Sequence, residues 1–235
     1  MTMAPEASAA TDGVISLGAI GGPEGDAREG AMEGVLVASG ELGFRETSVR
    51  AILEHSGGHR AQFYKDFENK EDCFARAYAI WMERLCVDLL AAAATTPGWE
   101  AGVREAIVQL FRFVAARPAI ARALFIEVQI AGEPAMARHE AVVERLAAAV
   151  DSVRAEIDPA EAPPETTGIF VVGGIESCVC EALSVDDPGR LWDTLPELMH
   201  LAVGSYLGNE AAGEELEMVR ELLEHDRAAL VGERR

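Results

Sequence analysis

Apolar residues recur every three or four positions along most of the chain, which is the spacing of one face of an α-helix. The longest such stripe runs from about 69 to 94 and ends just before a Pro-Gly pair. Asn69, with Asp72 three residues later, forms a variant capping box at its start. Because the alternation of β-branched residues that marks strands is scarce, the pattern predicts an all-α protein.

The same spacing predicts further helices downstream of this long one. A Pro/Glu-rich stretch at 158–165 divides them into two groups and is expected to be a loop. The predicted spans are about 100–116, 118–130 and 134–157 before the loop, with a helix pair within 166–208 and an amphipathic helix at 211–231 after it.

Two short helices joined by glycines precede the long helix. Thr47 and Ser48 are good N-cap residues for the first of them. Gly57 and Gly58 end it, because glycine enters the left-handed conformation without steric cost. A second helix is predicted from about 59 to 67. Helix, tight turn and helix is the arrangement that places a short second helix in the DNA major groove, so we expect a DNA-binding unit here.

The second of these helices carries polar side chains away from an apolar face formed by Phe63 and Phe67. Arg60 is a residue type that pairs with guanine, and Gln62 one that pairs with adenine. The other candidates suit contacts with phosphates. An ordinary solvated helix face is the alternative. The predicted DNA-binding residues are Thr47, Ser48, Arg60, Gln62, Tyr64, Lys65 and Lys70.

Several specific residues between 28 and 74 stand at a fixed spacing: Gly43-Phe44, Thr47-Ser48-Val49, Ile52, Gly57, Phe63-Tyr64, Phe67 and Lys70-Glu71. In order and spacing they resemble the N-terminal domain of tetracycline-repressor (TetR) family regulators. That resemblance implies a homodimer that binds a palindromic DNA operator through two recognition helices. It also implies a C-terminal helical domain in which a small-molecule effector shifts the fourth helix. No cofactor is expected.

Two features depart from that family's usual pattern. Gly58 and His59 stand where a valine commonly fills the small core and a serine caps the recognition helix. In the first helix Gly30, Gly34 and Gly40 each weaken helicity by up to about 1 kcal/mol relative to alanine. We therefore expect a loosely packed DNA-binding unit.

The formal net charge of −20 argues against nucleic acid unless the acidic residues lie elsewhere. Between 28 and 70 there are six Lys/Arg and seven Asp/Glu residues, a net charge of −1. Both lysines of the chain, Lys65 and Lys70, are in this segment. This layout suits a protein that meets phosphates through one small face. It disfavours an architectural protein that binds any DNA sequence.

The first helix of the 166–208 pair is apolar nearly all round. Glu176 and Glu181 are its only charges between Ile169 and Leu183. A helix of this kind must be covered on both sides. We therefore predict a homodimer through about 166–208, and the alternative is a buried core helix of a monomer.

The family resemblance implies an effector pocket bounded by the long fourth helix. Glu176 is notable because a carboxylate on an apolar helix needs a partner, from a ligand, an arginine or water. If it lines the pocket, a cationic or hydrogen-bonding lipophilic effector is expected. Each candidate can also be read as plain core. The candidate effector-binding residues are Trp81, Phe111, Phe125, Gln129, Phe170 and Glu176.

Other chemistry is sparse. The four cysteines lack the spacing of a disulfide scaffold and are read as buried, reduced thiols. Glu197 and His200 have the Glu-x-x-His spacing of di-iron bundles, but no second pair accompanies them, so no metal site is expected. No uncharged apolar run approaches 18 residues, and no basic residue precedes Arg28. Neither a membrane span nor a secretory signal is expected, and the protein is predicted to be cytoplasmic.

These features divide the chain into three predicted parts: a disordered tail (1–27), a helix-turn-helix DNA-binding domain (28–72) and a helical effector-binding and dimerisation domain (73–235). The expected function is a ligand-responsive transcriptional repressor. The rival from another class is a helical enzyme or metal-carboxylate bundle that kept a degenerate helix-turn-helix. Catalysis is not expected, because the sequence has no nucleophile–base constellation or phosphate-binding loop.

Overall fold

The computed structural model describes residues 27–231, with side chains through residue 225. Within that range the chain forms nine α-helices and no strand, which confirms the all-α prediction. The predicted tail lies outside the described residues except for Ala27, which begins the first helix. The helices are α1 (Ala27–Leu42), α2 (Val49–Ser56), α3 (Arg60–Asp66), α4 (Lys70–Thr95), α5 (Trp99–Ala116), α6 (Pro118–Phe125), α7 (Glu133–Val150), α8 (Thr167–Ser184) and α9 (Arg190–Val231).

The predicted caps of the helix-turn-helix are present. Ser48 caps α2, and its hydroxyl oxygen accepts a hydrogen bond from the Ala51 amide at 3.2 Å. Gly57 ends α2 with φ 65°, in the left-handed region that favours glycine. Asn69 caps α4 by accepting from the Asp72 amide at 2.8 Å. These local bonds fix where the three helices begin and end.

Helix α1 is packed closely, contrary to the expectation of a loose DNA-binding unit. A β-carbon added at Gly34 would lie 2.6 Å from the carbonyl oxygen of Ile52 on α2. One added at Gly40 would overlap the carbonyl group of Ala119 on α6. Two of the three glycines therefore let neighbouring helices approach α1 at backbone distance. The expected loose packing was wrong because glycine, besides weakening the helix, lets α2 and α6 approach α1 closely.

Two predicted helices are shorter than their apolar pattern suggested. Helix α6 ends at Phe125 and is followed by a 3-10 segment, Glu127–Ile130. Helix α7 ends at Val150 and is followed by a second 3-10 segment, Asp151–Glu156. Such tight turns are common at the C-terminal ends of α-helices, where they satisfy the last free carbonyl groups.

Helix α9 reverses direction between its two ends. Gly208 has φ 86°, which interrupts the right-handed helix. As a result, His200 Nδ1 lies 3.0 Å from the carbonyl oxygen of Ala212. The Arg220 and Glu197 side chains approach to 3.9 Å. The two predicted helices, ending near 208 and starting near 211, are thus the two arms of one hairpin.

Helix α4 runs through the centre of the fold and connects the helix-turn-helix to the rest. It packs against α1, α5 and α7. Its aromatic residues Phe74, Tyr78 and Trp81 are fully or almost fully buried. On the far side, the Phe111 ring of α5 meets the Trp192 ring of α9 edge to face, with centroids 5.7 Å apart. A shift of α4 would therefore change its packing both against the helix-turn-helix and against the helices of the second half of the fold.

Helix α8 is the one helix in the described residues that is long and apolar enough to cross a membrane by length and composition. Its span includes Glu176 and Glu181, so it is not an uncharged run. It packs against α6, α7 and α9 of this fold, and Val179 is fully buried. We therefore treat α8 as a helix of this bundle.

Candidate nucleic-acid interface and effector cavity

Helix α3 presents an exposed polar face opposite its buried aromatics. Phe63 and Phe67 are 2% exposed and anchor the helix in the core. Arg60 and Lys65 are exposed, and Tyr64 is 50% exposed. The Arg60 guanidinium lies 5.6 Å from the centre of the Tyr64 ring. This face is a cationic and aromatic surface of the kind that contacts nucleic acid.

The other predicted residue on α3, Gln62, is half-buried. Its side-chain amide nitrogen donates to the Asp66 carboxylate at 2.9 Å. To hydrogen-bond to a base edge, Gln62 would have to release this bond or use the second N–H of its amide. His59 precedes the helix without a side-chain capping bond, and it is exposed.

Lys70 occupies a different setting from the exposed lysine on α3. Its ammonium group donates to the carbonyl oxygens of Phe44 at 2.7 Å, Arg45 at 3.1 Å and Thr47 at 3.0 Å. An ammonium group has three N–H donors, so these bonds use all of them. Lys70 therefore stabilises the turn between α1 and α2 in this structure and has no N–H left for a phosphate.

The two predicted contacts at the start of α2 also differ from one another. Thr47 is 2% exposed, and its hydroxyl donates to the Gly43 carbonyl oxygen at 2.8 Å. Ser48 is exposed at the helix N-terminus. Of the pair, Ser48 is the residue whose side chain can reach a phosphate without local rearrangement.

A cavity of about 640 Å³ lies in the second half of the fold, between α4, α5, α7 and α8. Its wall is mostly aliphatic. Along α4 the lining extends from Met82 to Ala94, which corresponds to about 18 Å of helix. The volume and shape suit an elongated lipophilic molecule, since small-molecule sites commonly measure 300–1,000 Å³.

Two of the six predicted effector residues, Phe125 and Glu176, line this cavity. The other four do not line this cavity. Trp81 and Phe111 are buried in the core around the cavity, because their helices turn those faces toward other neighbours. Gln129 is exposed in the 3-10 segment after α6. Phe170 is 75% exposed on the outer face of α8.

Glu176 has a partner that the sequence analysis did not identify. Its carboxylate lies 3.1 Å from Nε2 of His139 on α7. The other ring nitrogen, Nδ1, lies 2.9 Å from the hydroxyl of Tyr78 on α4. His139 lines the cavity and is 7% exposed. The sequence does carry a signal for it, because His139 precedes Val142, Val143 and Leu146 at helical spacing on the same apolar stripe.

The protonated hydroxyl of Tyr78 bears on the hydrogen bonds within this trio. Burial first, and then the Glu176 carboxylate, raise the pKa of Tyr78, so its hydroxyl stays protonated. Tyr78 is fully buried, and among the described residues His139 is its hydrogen-bond partner. A hydroxyl that donates to Nδ1 places an imidazole proton on Nε2, the nitrogen that faces the Glu176 carboxylate.

The outer face of α8 and α9 is apolar. Ile169 and Phe170 of α8 are exposed, and Leu201 of α9 is 65% exposed. Added β-carbons at Gly173 and Gly174 would meet nothing within 4 Å. This surface coincides with the helix pair predicted to form the dimer.

The remaining candidate groups are the cysteines and His200. All four cysteines are free thiols, and Cys178 and Cys180 are half-buried rather than buried as predicted. His200 holds the α9 hairpin through Ala212, as described above. Within the described residues, no cluster of three or more His, Cys, Asp or Glu side chains could hold a metal ion.

No family model matches the sequence, and no curated protein matches it. Solved structures do resemble the fold. The fatty acid degradation regulator FadR from Bacillus halodurans matches with a TM-score of 0.68 and 16% identity, over 77% of this chain and 96% of that one. FadR from Bacillus subtilis, in complex with stearoyl-CoA, matches with a TM-score of 0.65 and 15% identity, over 74% and 97%.

A TetR-family transcription regulator from Marinobacter aquaeolei matches with a TM-score of 0.60 and 22% identity, over 77% of this chain and 95% of that one. Each of these chains is covered almost completely. The protein therefore has the all-α fold of TetR-family regulators, as the resemblance between 28 and 74 implied.

Proposed function

We propose that this protein is a ligand-responsive transcriptional regulator that binds a palindromic DNA operator as a homodimer. The observation that carries the proposal is the path of α4. This helix is capped at Asn69 beside the exposed face of α3, and it continues as a wall of the cavity. A ligand in the cavity can therefore act on the position of the recognition helix through one rigid element.

The exposed part of the helix-turn-helix supports the DNA-binding half of the proposal. Arg60 and Gln62 are assigned to base edges, and Ser48, Tyr64 and Lys65 to phosphates. Thr47 and Lys70 are assigned to the turn that supports them, because their polar groups are already bonded to backbone carbonyls. The domain bounds remain those proposed from the sequence, 28–72 for DNA binding and 73–235 for effector binding and dimerisation.

The apolar face of α8 and α9 supports the homodimer. A palindromic operator requires a protein with two-fold symmetry, and an isologous interface repeats the same patch on both subunits. Phe170 and Leu201 would lie at the centre of this interface, with Gly173 and Gly174 allowing close approach of the helices.

The aliphatic cavity supports a lipophilic effector. The Bacillus subtilis FadR structure contains stearoyl-CoA, a ligand with a long hydrocarbon chain. The solved neighbours are transcription regulators, which supports a non-enzymatic, cytoplasmic role. The rival reading, a helical enzyme or metal-carboxylate bundle, gains no specific support from the described residues.

Selection of bound sequences from random double-stranded DNA tests the proposal. We expect an inverted repeat to be enriched. Arg60→Ala should reduce affinity by about 1–3 kcal/mol and relax the preference at one position of each half-site. Arg84→Ala, which removes the same charge from an exposed position on α4, is the matched control and should leave both unchanged. Failure to enrich any sequence would overturn the proposal.

The dimer is tested separately by sedimentation. Phe170→Glu places a charge on the proposed interface and should produce monomers that bind the operator weakly. Val87 is a matched control, because it is an apolar residue on α4 that is 50% exposed and lies away from the α8–α9 face. Val87→Glu should remain dimeric. Equal behaviour of the two variants would contradict an interface at Phe170.

A further inference from the structure

The charge of the cavity wall points to a particular class of effector. Among the described residues that line the cavity there is no lysine or arginine. The ionisable side chains of the wall include the carboxylates of Glu156 and Glu176 and the imidazole of His139. An apolar cavity with two acids and no permanent cation is complementary to a positive charge.

Arg145, a cation that contacts a residue of the cavity wall, already has partners. Arg145 donates from Nε to the Cys86 sulfur at 3.0 Å, and Cys86 lines the cavity. The same guanidinium donates from NH1 to both oxygens of Glu83, at 3.1 Å and 2.9 Å. Its charge is therefore paired outside the cavity and does not compensate Glu176.

Glu176 is the group with unused binding capacity. The imidazole of His139 lies 3.1 Å from one of its oxygens, and a carboxylate can accept about four hydrogen bonds. Its side chain is 20% exposed and belongs to the cavity wall, so a ligand in the cavity can reach it. A partly buried carboxylate with a single hydrogen-bond partner is costly to leave in this state.

The position of Glu176 also orients a ligand. His139 links it to Tyr78, which lies one turn before Met82 on α4, at the inner end of the cavity. The opposite end is bounded by the exposed residues Ala94 and Ser152. A charged group at Glu176 would therefore lie at the inner end, and a hydrocarbon chain would extend along α4 toward the rim.

We propose that the effector is a lipophilic primary amine, whose protonated nitrogen binds Glu176 and whose hydrocarbon chain fills the aliphatic cavity. This proposal rests on the proposed function, because it assigns the ligand of the same regulator. An ammonium group supplies three N–H donors for the free lone pairs of the carboxylate. A ligand with an anionic head would instead place like charges together in a low-dielectric site.

Three probes of equal chain length separate the head-group classes: dodecylamine, dodecanol and dodecanoate. Binding is measured by titration calorimetry on the full chain at pH 7, below the concentrations at which the probes aggregate. We expect affinity to fall from the amine to the alcohol to the carboxylate. Equal or tighter binding of dodecanoate would overturn the proposal without the need for any variant.

Glu176→Gln keeps the shape of the side chain and removes its charge. It should weaken amine binding roughly ten- to a hundredfold, the range expected for a hydrogen bond to a charged group, and change dodecanol binding little. Glu181→Gln on the same helix gives the same change in net charge at a position that is 68% exposed. Equal loss in both variants would indicate attraction to the acidic surface and would overturn the assignment.

DNA binding distinguishes failure of this proposal from failure of the proposed function. If an operator is enriched but dodecanoate, rather than the amine, changes its affinity, the effector class is wrong and the function stands. If the amine binds with the expected dependence on Glu176 but no DNA sequence is enriched, the function is wrong and the cavity assignment stands.

Discussion

The amide nitrogen of Phe44 donates to the Glu127 carboxylate at 2.7 Å. Phe44 belongs to the turn between α1 and α2, and Glu127 begins the 3-10 segment after α6. The bond therefore joins the helix-turn-helix to the half of the fold that contains the cavity. The Arg117 and Glu33 side chains, 3.4 Å apart, provide a second connection between α1 and the region of α6.

Glu127→Ala should destabilise this connection, because it leaves a largely buried amide without an acceptor. We expect the free energy of unfolding to fall by about 1–3 kcal/mol. Glu127→Gln keeps a side-chain oxygen and should cost less. Hydrogen exchange at the Phe44 amide checks the cause directly, because the amide should exchange faster in the alanine variant. Unchanged exchange would contradict a role for this bond.

Gly40→Ala should separate α1 from α6. The added methyl group would overlap the Ala119 carbonyl, so the helices must move apart at a cost of roughly 1–3 kcal/mol. Gly30→Ala is the matched control on the same helix, because its β-carbon would lie at an ordinary 3.5 Å from the Ser56 β-carbon. That variant should gain up to about 1 kcal/mol from helix propensity. Urea denaturation of both variants measures the contrast, and losses of similar size would contradict the packing argument.

The two lysines should behave oppositely when replaced by methionine. Lys70→Met leaves three carbonyl groups without their donor and should lower the free energy of unfolding by about 1.5–3 kcal/mol. Lys65→Met should change stability by less than about 0.5 kcal/mol, because its side chain is exposed. It should instead weaken operator binding and reduce the slope of log affinity against log salt by about 0.9 for each subunit of the dimer. If Lys65→Met lowered stability and Lys70→Met weakened only operator binding, the two assignments would be contradicted.

Stability should decline in alkaline solution. Burial first, and the Asp72 carboxylate second, raise the pKa of the Cys73 thiol, and burial raises that of Tyr78. The unfolded chain releases these protons above about pH 8.5 for cysteine and about pH 10 for tyrosine, while the folded chain retains them. The stability that these groups contribute is thus complete below those values and is lost as the pH rises through the folded-state pKa.

Tyr78→Phe isolates the tyrosine contribution to this decline. Above about pH 10 the variant should lose stability less steeply than the unmodified chain, by up to about 1.4 kcal/mol per pH unit. Denaturation curves between pH 8 and 11 measure the difference. Parallel pH profiles for the two proteins would contradict a protonated Tyr78 in the folded state.

The helices and caps could be predicted because their causes are local. Ser48 and Asn69 each accept a hydrogen bond from an amide three residues later, and the Gly57 amide donates to the carbonyl oxygen of Leu53, so both partners lie within a few residues of each other. The packing role of Gly40 could not be predicted in this way. Its partner, Ala119, lies far along the chain, and the local pattern contains only the cost of a glycine in a helix.

The cavity was predicted less well than the fold. The apolar stripe of a helix predicts which residues are buried, but it does not predict which neighbouring helix or cavity each buried residue contacts. Phe111 turned toward Trp192 rather than toward the cavity. Glu176 was identified because a charge on an apolar helix is unusual in any context. His139 was missed because a single histidine on an apolar stripe is usually read as ordinary core, and its two partners come from other helices.

The unequal setting of Lys65 and Lys70 has a practical consequence for spectroscopy. Lysine side chains occur nowhere else in the chain, and the Lys70 nitrogen is engaged by three carbonyls. An amine-reactive fluorophore would therefore attach, among the side chains, chiefly at Lys65. The dye would report from the recognition helix itself, without an engineered labelling site.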